Sequence, residues 1–465
     1  MKANSNSPED RWLPARLIPT SGIKGVDEQE RRGTSALLAV MMAVPEFARS
    51  LLSKAGAPAG TLKTYIEPEF TSSSGGKIRP DGALIVKRGN NLWRALAEVK
   101  TSTNELDRNQ VEAYLELARA EGFNALITIS NQLGTATDAH PLAVDARKTK
   151  SVRLHHWSWV EILSEAVIQR EYRGVSDPDQ AWILGELIQY LQHPQSGAME
   201  FQDMGPNWVT IREGARDGTL RPNDKGVNDV VVRWDQFMQY LCLFLGRDLG
   251  VKVDQVLPRK EQSDAGARKS NLIRQLTVDG SLDGTLRIQR AIGDITLTAS
   301  LRARTVTASV QVEAPQDGRP ITRIRWLARQ LTEASTDLRL DATFVGSRAS
   351  TSARLGQILE DPAKLLLQDK SKAPRSFTVC MMADMGSKRG GVKGSFIGEA
   401  TDLLLTFYRT VVQELRPWSG AAPKLPTQRD VADIATQPES VVERVASAQA
   451  DELGGEAADE SPPSS

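Results

Sequence analysis

Residues 62–69, 82–87 and 92–101 form three strand-like runs in close succession, and this constrains the fold more than any other feature of the chain. The turns between them are short. Residues 72–77 supply serine and glycine, and Arg88-Gly89-Asn90-Asn91 supplies a hairpin turn. A helical stretch precedes them over 27–54, with Leu37, Leu38, Met41, Met42 and Phe47 at helical spacing. Pro45 is expected to kink or split it, and Gly56-Ala-Pro-Ala-Gly60 ends it. A helix over 107–121 follows, carrying Val111, Leu115 and Ala118 on one face. After it come strands over 124–129 and 152–156 and a helix over 158–170. Helix, three strands, helix, strand is the order of a layered α/β domain.

The chain's 465 residues exceed one ordinary domain, so two or three are expected. A helix over 177–192 enters through Ser176-Asp177-Pro178 and is assigned to a helical linker, 175–204, expected to pack beside the first domain or to bridge to the second. Residues 205–226 are turn-rich and read as a boundary, and an apolar helix over 230–249 opens a second unit. Residues 272–313 alternate like antiparallel strands, with Val306, Ala308, Val310 and Val312 pointing one way. A helix over 321–333, strands over 338–345 and 376–382 and a helix over 396–415 complete an α+β unit. The expected division is an irregular arm (1–25), an α/β domain with a central mixed sheet flanked by helices (26–174), the linker, a second α+β domain (205–418) and a disordered acidic tail (419–465).

Formal charge is zero overall but uneven: from residue 431 onward eight acidic residues face Arg444 alone, which leaves a moderately basic body. That balance permits phosphate binding and does not argue for it. The two cysteines, Cys242 and Cys380, exclude a disulfide framework and read as buried thiols in a reducing compartment. His140, His155, His156 and His193 have no zinc-finger spacing. The apolar run 36–44 is too short for a membrane span, and the polar start lacks a signal-peptide core, so no membrane association and a cytoplasmic location are expected.

The chemistry-bearing stretch is Pro80-Asp81-Gly82, then Glu98-Val99-Lys100, then Gln110-x-x-x-Tyr114. Residues two apart on a strand share a face, so Glu98 and Lys100 project together while Val99 points into the core. An antiparallel hairpin can bring Asp81 beside Glu98. Two converging carboxylates make a hard oxygen site for Mg2+ or Mn2+, and a lysine beside them can orient a water toward a phosphate. Glu98-Val99-Lys100 is the only [DE]-x-K triplet in the chain.

These residues resemble the PD-(D/E)xK nuclease superfamily, of restriction-endonuclease-like fold. Lys100-Thr101 and the later Gln110/Tyr114 pair look like its RecB-like branch. The match covers about residues 25–172. The resemblance implies that Asp81 and Glu98 hold metal, helped by the Val99 carbonyl, and that Lys100 positions the attacking water. Gln110 and Tyr114 would lie near the site and contact DNA or metal-bound water. A first-helix glutamate often joins such sites. Glu30 is the candidate, with Glu28 left open. The implied function is a metal-dependent nuclease, acting on DNA in the first instance, serving defence against foreign DNA or repair. Its C-terminal domain would recognise the substrate, a protein partner or a second copy. The competing expectation is an inactive nucleic-acid-binding or protein-interaction module on the same fold.

Other features carry weaker readings. Glu67 and Glu69 fit a solvated strand edge better than extra metal ligands. In His155-His156-Trp157-Ser158-Trp159 the adjacent histidines point apart and the tryptophans suit packing. The loop 386–395 is rich in Gly and Lys but is not a Walker A sequence, and it reads as a flexible basic loop. Arg323, Arg325 and Arg329 read as a solvated helix face, with a DNA-contacting stripe as the alternative.

Overall fold

In the computed structural model the first helical run breaks at Pro45, which has no backbone N–H to continue it. Helix α1 (Val26–Ala43) stops, and α2 (Pro45–Lys54) leaves at 110° to it. The structure describes residues 13–14, 26–71, 76–135, 139–391 and 393–419. Apart from Leu13, Pro14 and Ser419, the expected irregular arm and acidic tail lie outside the described residues.

Strands β1 (Leu13–Pro14), β2 (Thr61–Ile66), β3 (Phe70–Thr71), β4 (Lys77–Ile78), β5 (Gly82–Arg88) and β6 (Asn91–Val99) precede helix α3 (Arg108–Ala120). Strands β7 (Ala125–Ser130) and β8 (Arg153–Ser158) follow it. Six of these strands form one mixed sheet in the order β1-β2-β5-β6-β7-β8. β2, β5 and β6 are an antiparallel meander, whereas β6, β7 and β8 run parallel. The α3 crossover provides the long connection that a parallel pair requires. β3 and β4 pair as a separate small hairpin around a stretch expected only to turn.

Both faces of this sheet are covered, which explains why its strands read as nearly continuous apolar runs. Leu84, Val86, Ala95, Ala97, Val99, Ile127 and Ile129 face a core built with α1, α2 and α4 (Trp159–Val167). Ala83, Ile85, Leu96 and Leu126 face Val111, Tyr114, Leu115 and Ala118 of α3. Of the two expected roles for the linker 175–204, packing beside the first domain or bridging to the second, the structure shows the first. Helix α5 (Pro178–Gln192) buries Leu184, Leu187, Ile188 and Leu191 there.

The turn-rich boundary 205–226 also departs from expectation, because it contains helix α6 (Trp208–Arg216), with Gly214 inside it and the other Gly and Pro residues at the flanks. Helix α7 (Val227–Leu249), strand β9 (Val253–Val256) and helices α8 (Arg259–Ser263) and α9 (Ala265–Arg274) lead to β10 (Ser281–Ile288). Residues 272–279, expected to begin the strands, are helical. Then come β11 (Ile295–Ser300), β12 (Thr305–Glu313), α10 (Pro320–Gln330), β13 (Arg339–Phe344), β14 (Ser350–Arg354), α11 (Leu355–Glu360), β15 (Pro374–Asp384) and α12 (Phe396–Phe407). The seven strands form an antiparallel sheet ordered β14-β13-β15-β12-β11-β10-β9. Its Leu282, Leu297, Val306, Val310, Leu340 and Val379 are buried in a core shared with α7, α10 and α12. Threonine and serine alternate with them on the other face.

Leu133 and Val160, from the first layer, join this second core, and α4 packs on α7. The described residues up to Pro417 therefore form one compact unit and not two bodies on a tether. Among the described residues no single helix is long and apolar enough to cross a membrane.

Leu38 of α1 is fully buried beneath β5 and contributes to the first core. Leu38→Ala should cost about 2–5 kcal/mol through lost burial and a residual cavity. Urea denaturation should show a lower midpoint with an unchanged slope. A shift within about 0.5 kcal/mol would mean that this layer is not tightly packed.

Candidate active site

The register of one hairpin builds the site. Gly82 pairs with Ala97, so Asp81, just before β5, lies across from Glu98, the next residue of β6. Asp81 is held at both ends: its Oδ2 accepts the Val99 N–H at 2.7 Å, and its carbonyl accepts the Glu67 N–H at 3.0 Å. Alternation sends Ala97 and Val99 into the first core and turns Glu98 to the opposite face. The Lys100 N–H donates to the Ile129 carbonyl at 2.8 Å, continuing the parallel pairing past the end of β6. The Lys100 side chain thereby returns to Glu98, with Nζ 2.6 Å from Oε1. Gly82 lets α1 approach: a Cβ there would lie 2.8 Å from Leu38 Cδ1 and 3.3 Å from the Tyr65 carbonyl.

Burial dominates the electrostatics. Glu98 is only 1% exposed, and the Asp81 carboxyl faces it across the hairpin. Burial, then the adjacent Asp81 charge, pushes Glu98 up to about 8. Asp81 is also raised, again chiefly by burial, although the Val99 N–H and Lys100 oppose this. Burial pulls Lys100 down, but the Glu98, Asp81 and Glu30 charges outweigh it and hold the ammonium above its usual range. Lys100 is a close charge partner for Glu98 Oε1 without hydrogen-bond alignment, so this buried oxygen has no aligned donor.

Of the two first-helix glutamates, Glu30 reaches the site. Its Oε2 lies 3.8 Å from Lys100 Nζ, and its Oε1 accepts from Asn104 Nδ2 at 2.8 Å and Thr101 N–H at 3.3 Å. Glu28 instead pairs with Arg32 one turn on. Gln110 and Tyr114 sit together on α3, with Gln110 Nε2 donating to the Tyr114 hydroxyl at 3.3 Å. That hydroxyl donates to the Arg79 carbonyl, also at 3.3 Å. Tyr114 is buried, and burial followed by the Glu98 charge raises its hydroxyl's pKa. Two participants carried no signal in the sequence. Asn104 anchors Glu30, and Trp159 Nε1 donates to the Lys100 carbonyl at 2.9 Å.

Among the described residues no three His, Cys, Asp or Glu side chains converge as a complete cation cage. A buried and a half-buried carboxylate facing each other, one oxygen lacking an aligned donor, nevertheless fit a hard divalent ion that keeps waters and takes further oxygens from a phosphate. The secondary candidates are engaged by other partners. Glu67 pairs with Arg31, and Glu69 with Lys77 and Arg79. His156 Nε2 contacts the Gln132 carbonyl and its Nδ1 contacts Thr128 Oγ1, each at 2.9 Å. Its ring edge reaches a cavity, yet surrounding protein atoms desolvate it and push its pKa down to about 3. Trp157 and Trp159 are buried. The loop 386–395 is tied down by Arg389–Asp203 at 2.9 Å and by Arg212 Nη1 donating to the Ser387 carbonyl at 3.1 Å. Arg323 spends its guanidinium on backbone carbonyls, including Pro374 at 3.2 Å, while Arg325 and Arg329 are exposed.

No family model matches this chain, and neither curated proteins nor solved structures give a match.

Glu98 keeps a proton in the fold that it loses on unfolding, so its contribution to stability is full below pH 4.5 and is lost as pH rises through about 8. Each pH unit in that window costs on the order of 1.4 kcal/mol. With chelator present, Glu98→Gln should be more stable than the parent at pH 8, with the advantage shrinking toward pH 4.5. Thermal melts across this range check it. A Gln variant less stable at pH 8 would contradict the buried-pair geometry.

Proposed function

We propose that this chain is a divalent-metal-dependent nuclease of the PD-(D/E)xK type, hydrolysing phosphodiester bonds in nucleic acid, DNA foremost. The observation that carries the reading is Asp81, fixed by the Val99 amide opposite buried Glu98, with Lys100 Nζ 2.6 Å from Glu98 Oε1. Burying two carboxylates beside each other opposes folding, and a cation between them offsets that cost. The mixed sheet covered on both faces, with the pair at its strand ends, supports a restriction-endonuclease-like fold.

In this reading Asp81 and Glu98, with the Val99 carbonyl, hold Mg2+ or Mn2+. The ion supplies Lewis-acid polarisation of the phosphate and a nucleophile at neutral pH. Lys100, kept charged by its three acidic neighbours, orients the attacking water and offsets charge building on the phosphate. Glu30 stands behind Lys100 and limits where its ammonium can go. Gln110 and Tyr114 border the same face of the sheet and are assigned to contacts with the nucleic acid or with metal-bound water. The second sheet is assigned to recognition of the substrate, a protein partner or a second copy. A place in defence or repair rests on fold-level analogy alone.

Purified protein should cut or degrade DNA with Mg2+ or Mn2+ and not with chelator. Gel assays on linear, circular and single-stranded substrates read this directly. Asp81→Ala and Lys100→Ala should each lower the rate at least about a hundredfold. Cleavage that survives both substitutions would overturn the assignment. Salt-sensitive DNA binding without cleavage under any divalent ion would favour a non-catalytic nucleic-acid-binding module instead.

A further inference from the structure

Beyond the metal pair, the strand carrying Lys100 leaves the sheet through an unusual turn. Ser102 has φ +54°, a left-handed conformation that a non-glycine residue adopts only when its surroundings hold it. All three of its polar groups are engaged. Its N–H donates to the Gly197 carbonyl at 2.8 Å, its carbonyl accepts from Asn131 Nδ2 at 2.9 Å, and its hydroxyl donates to Gln29 Oε1 at 2.6 Å. Gly197 belongs to the connector, residues 193–199, which leaves α5 for the second sheet.

The same two side chains hold that connector. Asn131, the residue after β7, also donates Nδ2 to the Gly197 carbonyl at 2.7 Å, and its Oδ1 accepts the Met199 N–H at 2.7 Å. Gln29 of α1 donates Nε2 to the Gln195 carbonyl at 2.6 Å. Contact between connector and strand exit leaves no room for a side chain. Gly197 has φ +80°, and a Cβ there would lie 2.7 Å from both Gln29 Cδ and Thr101 Cβ.

We propose that Asn131 and Gln29 are positioning residues that clamp the connector 193–199 onto the exit of the catalytic strand and so fix where Lys100 stands. The proposal rests on the nuclease reading, since it gives Lys100 a reaction to serve. Lys100 is two residues from the clamp, and its own backbone is held by Ile129 and Trp159. With the clamp in place the lysine is anchored on both sides. Without it, only the sheet side remains. A misplacement of about 1 Å at a catalytic group costs roughly a hundredfold in rate. Asp81 and Glu98 lie before this turn, fixed by the β5–β6 pairing and the Val99 amide, so metal binding does not depend on the clamp.

The test uses the full chain with Asn131→Ala, which opens the clamp at its centre, and Gly197→Ala, which pries it apart from the connector side. Hydrogen exchange on the folded protein should be faster at the Ser102 and Met199 amides in both variants. The turnover rate per folded molecule should fall about 10- to 100-fold. KM for DNA and the binding of Mn2+ alone, followed by its paramagnetic resonance signal, should stay unchanged. A purely structural role would lower the melting temperature and leave kcat per folded molecule intact, which overturns the proposal, as does unchanged exchange at Ser102. Faster exchange in a protein whose parent cuts no DNA would retire the nuclease reading and the positioning role with it, while still registering the clamp.

Discussion

Two carboxyl groups facing each other at the ends of a sheet's two central strands, Glu98 buried and Asp81 half-buried, set the terms for the rest of this structure. Water is withdrawn from both, and their like charges cannot coexist there without a proton, an ammonium or a metal. The fold tolerates the pair because three independent devices converge on it. The β5–β6 register brings Asp81 opposite Glu98, the Val99 amide fixes one Asp81 oxygen, and Lys100 returns to the same face. Natural proteins keep such unfavourable burial where a site needs it.

Much of the local architecture follows from the sequence by simple arguments. Alternation separates Glu98 and Lys100 from Val99, Pro45 divides α1 from α2, and Val306, Ala308, Val310 and Val312 face one core. The Asp81–Glu98 meeting is legible because a hairpin fixes register locally. Glu30 is legible only as one of two glutamates. Helix phase and the pairing of Glu28 with Arg32 decide between them, and both depend on where α1 docks. Asn104, Asn131 and Gln29 carry no pattern at all, since their partners are more than twenty residues away in sequence.

Domain boundaries were harder to read, for a physical reason. Turn residues mark chain reversals, not the edges of cores. Residues 205–226 contain enough glycine and proline to suggest a boundary, yet α6 sits among them with Trp208 fully buried. Residues 177–192 read as a helix with Leu184, Leu187, Ile188 and Leu191 on one face, but the sequence does not say which unit that face meets; α5 completes the first core. Leu133 and Val160 then contribute to the second core, which ties the two sheets together although each keeps its own core. The connector between them runs directly past the strand that carries Lys100.

Divalent-ion binding by the intact chain addresses the carboxylate pair most directly. Titration with Mn2+, read by the loss of the free-ion resonance signal, should reveal one ion per chain, with or without a short DNA duplex. A chain carrying both Asp81→Asn and Glu98→Gln should fold and bind none. Equal Mn2+ uptake by the parent and the double variant would contradict the claim that these two side chains form the metal site, as would no uptake by the parent even with DNA present.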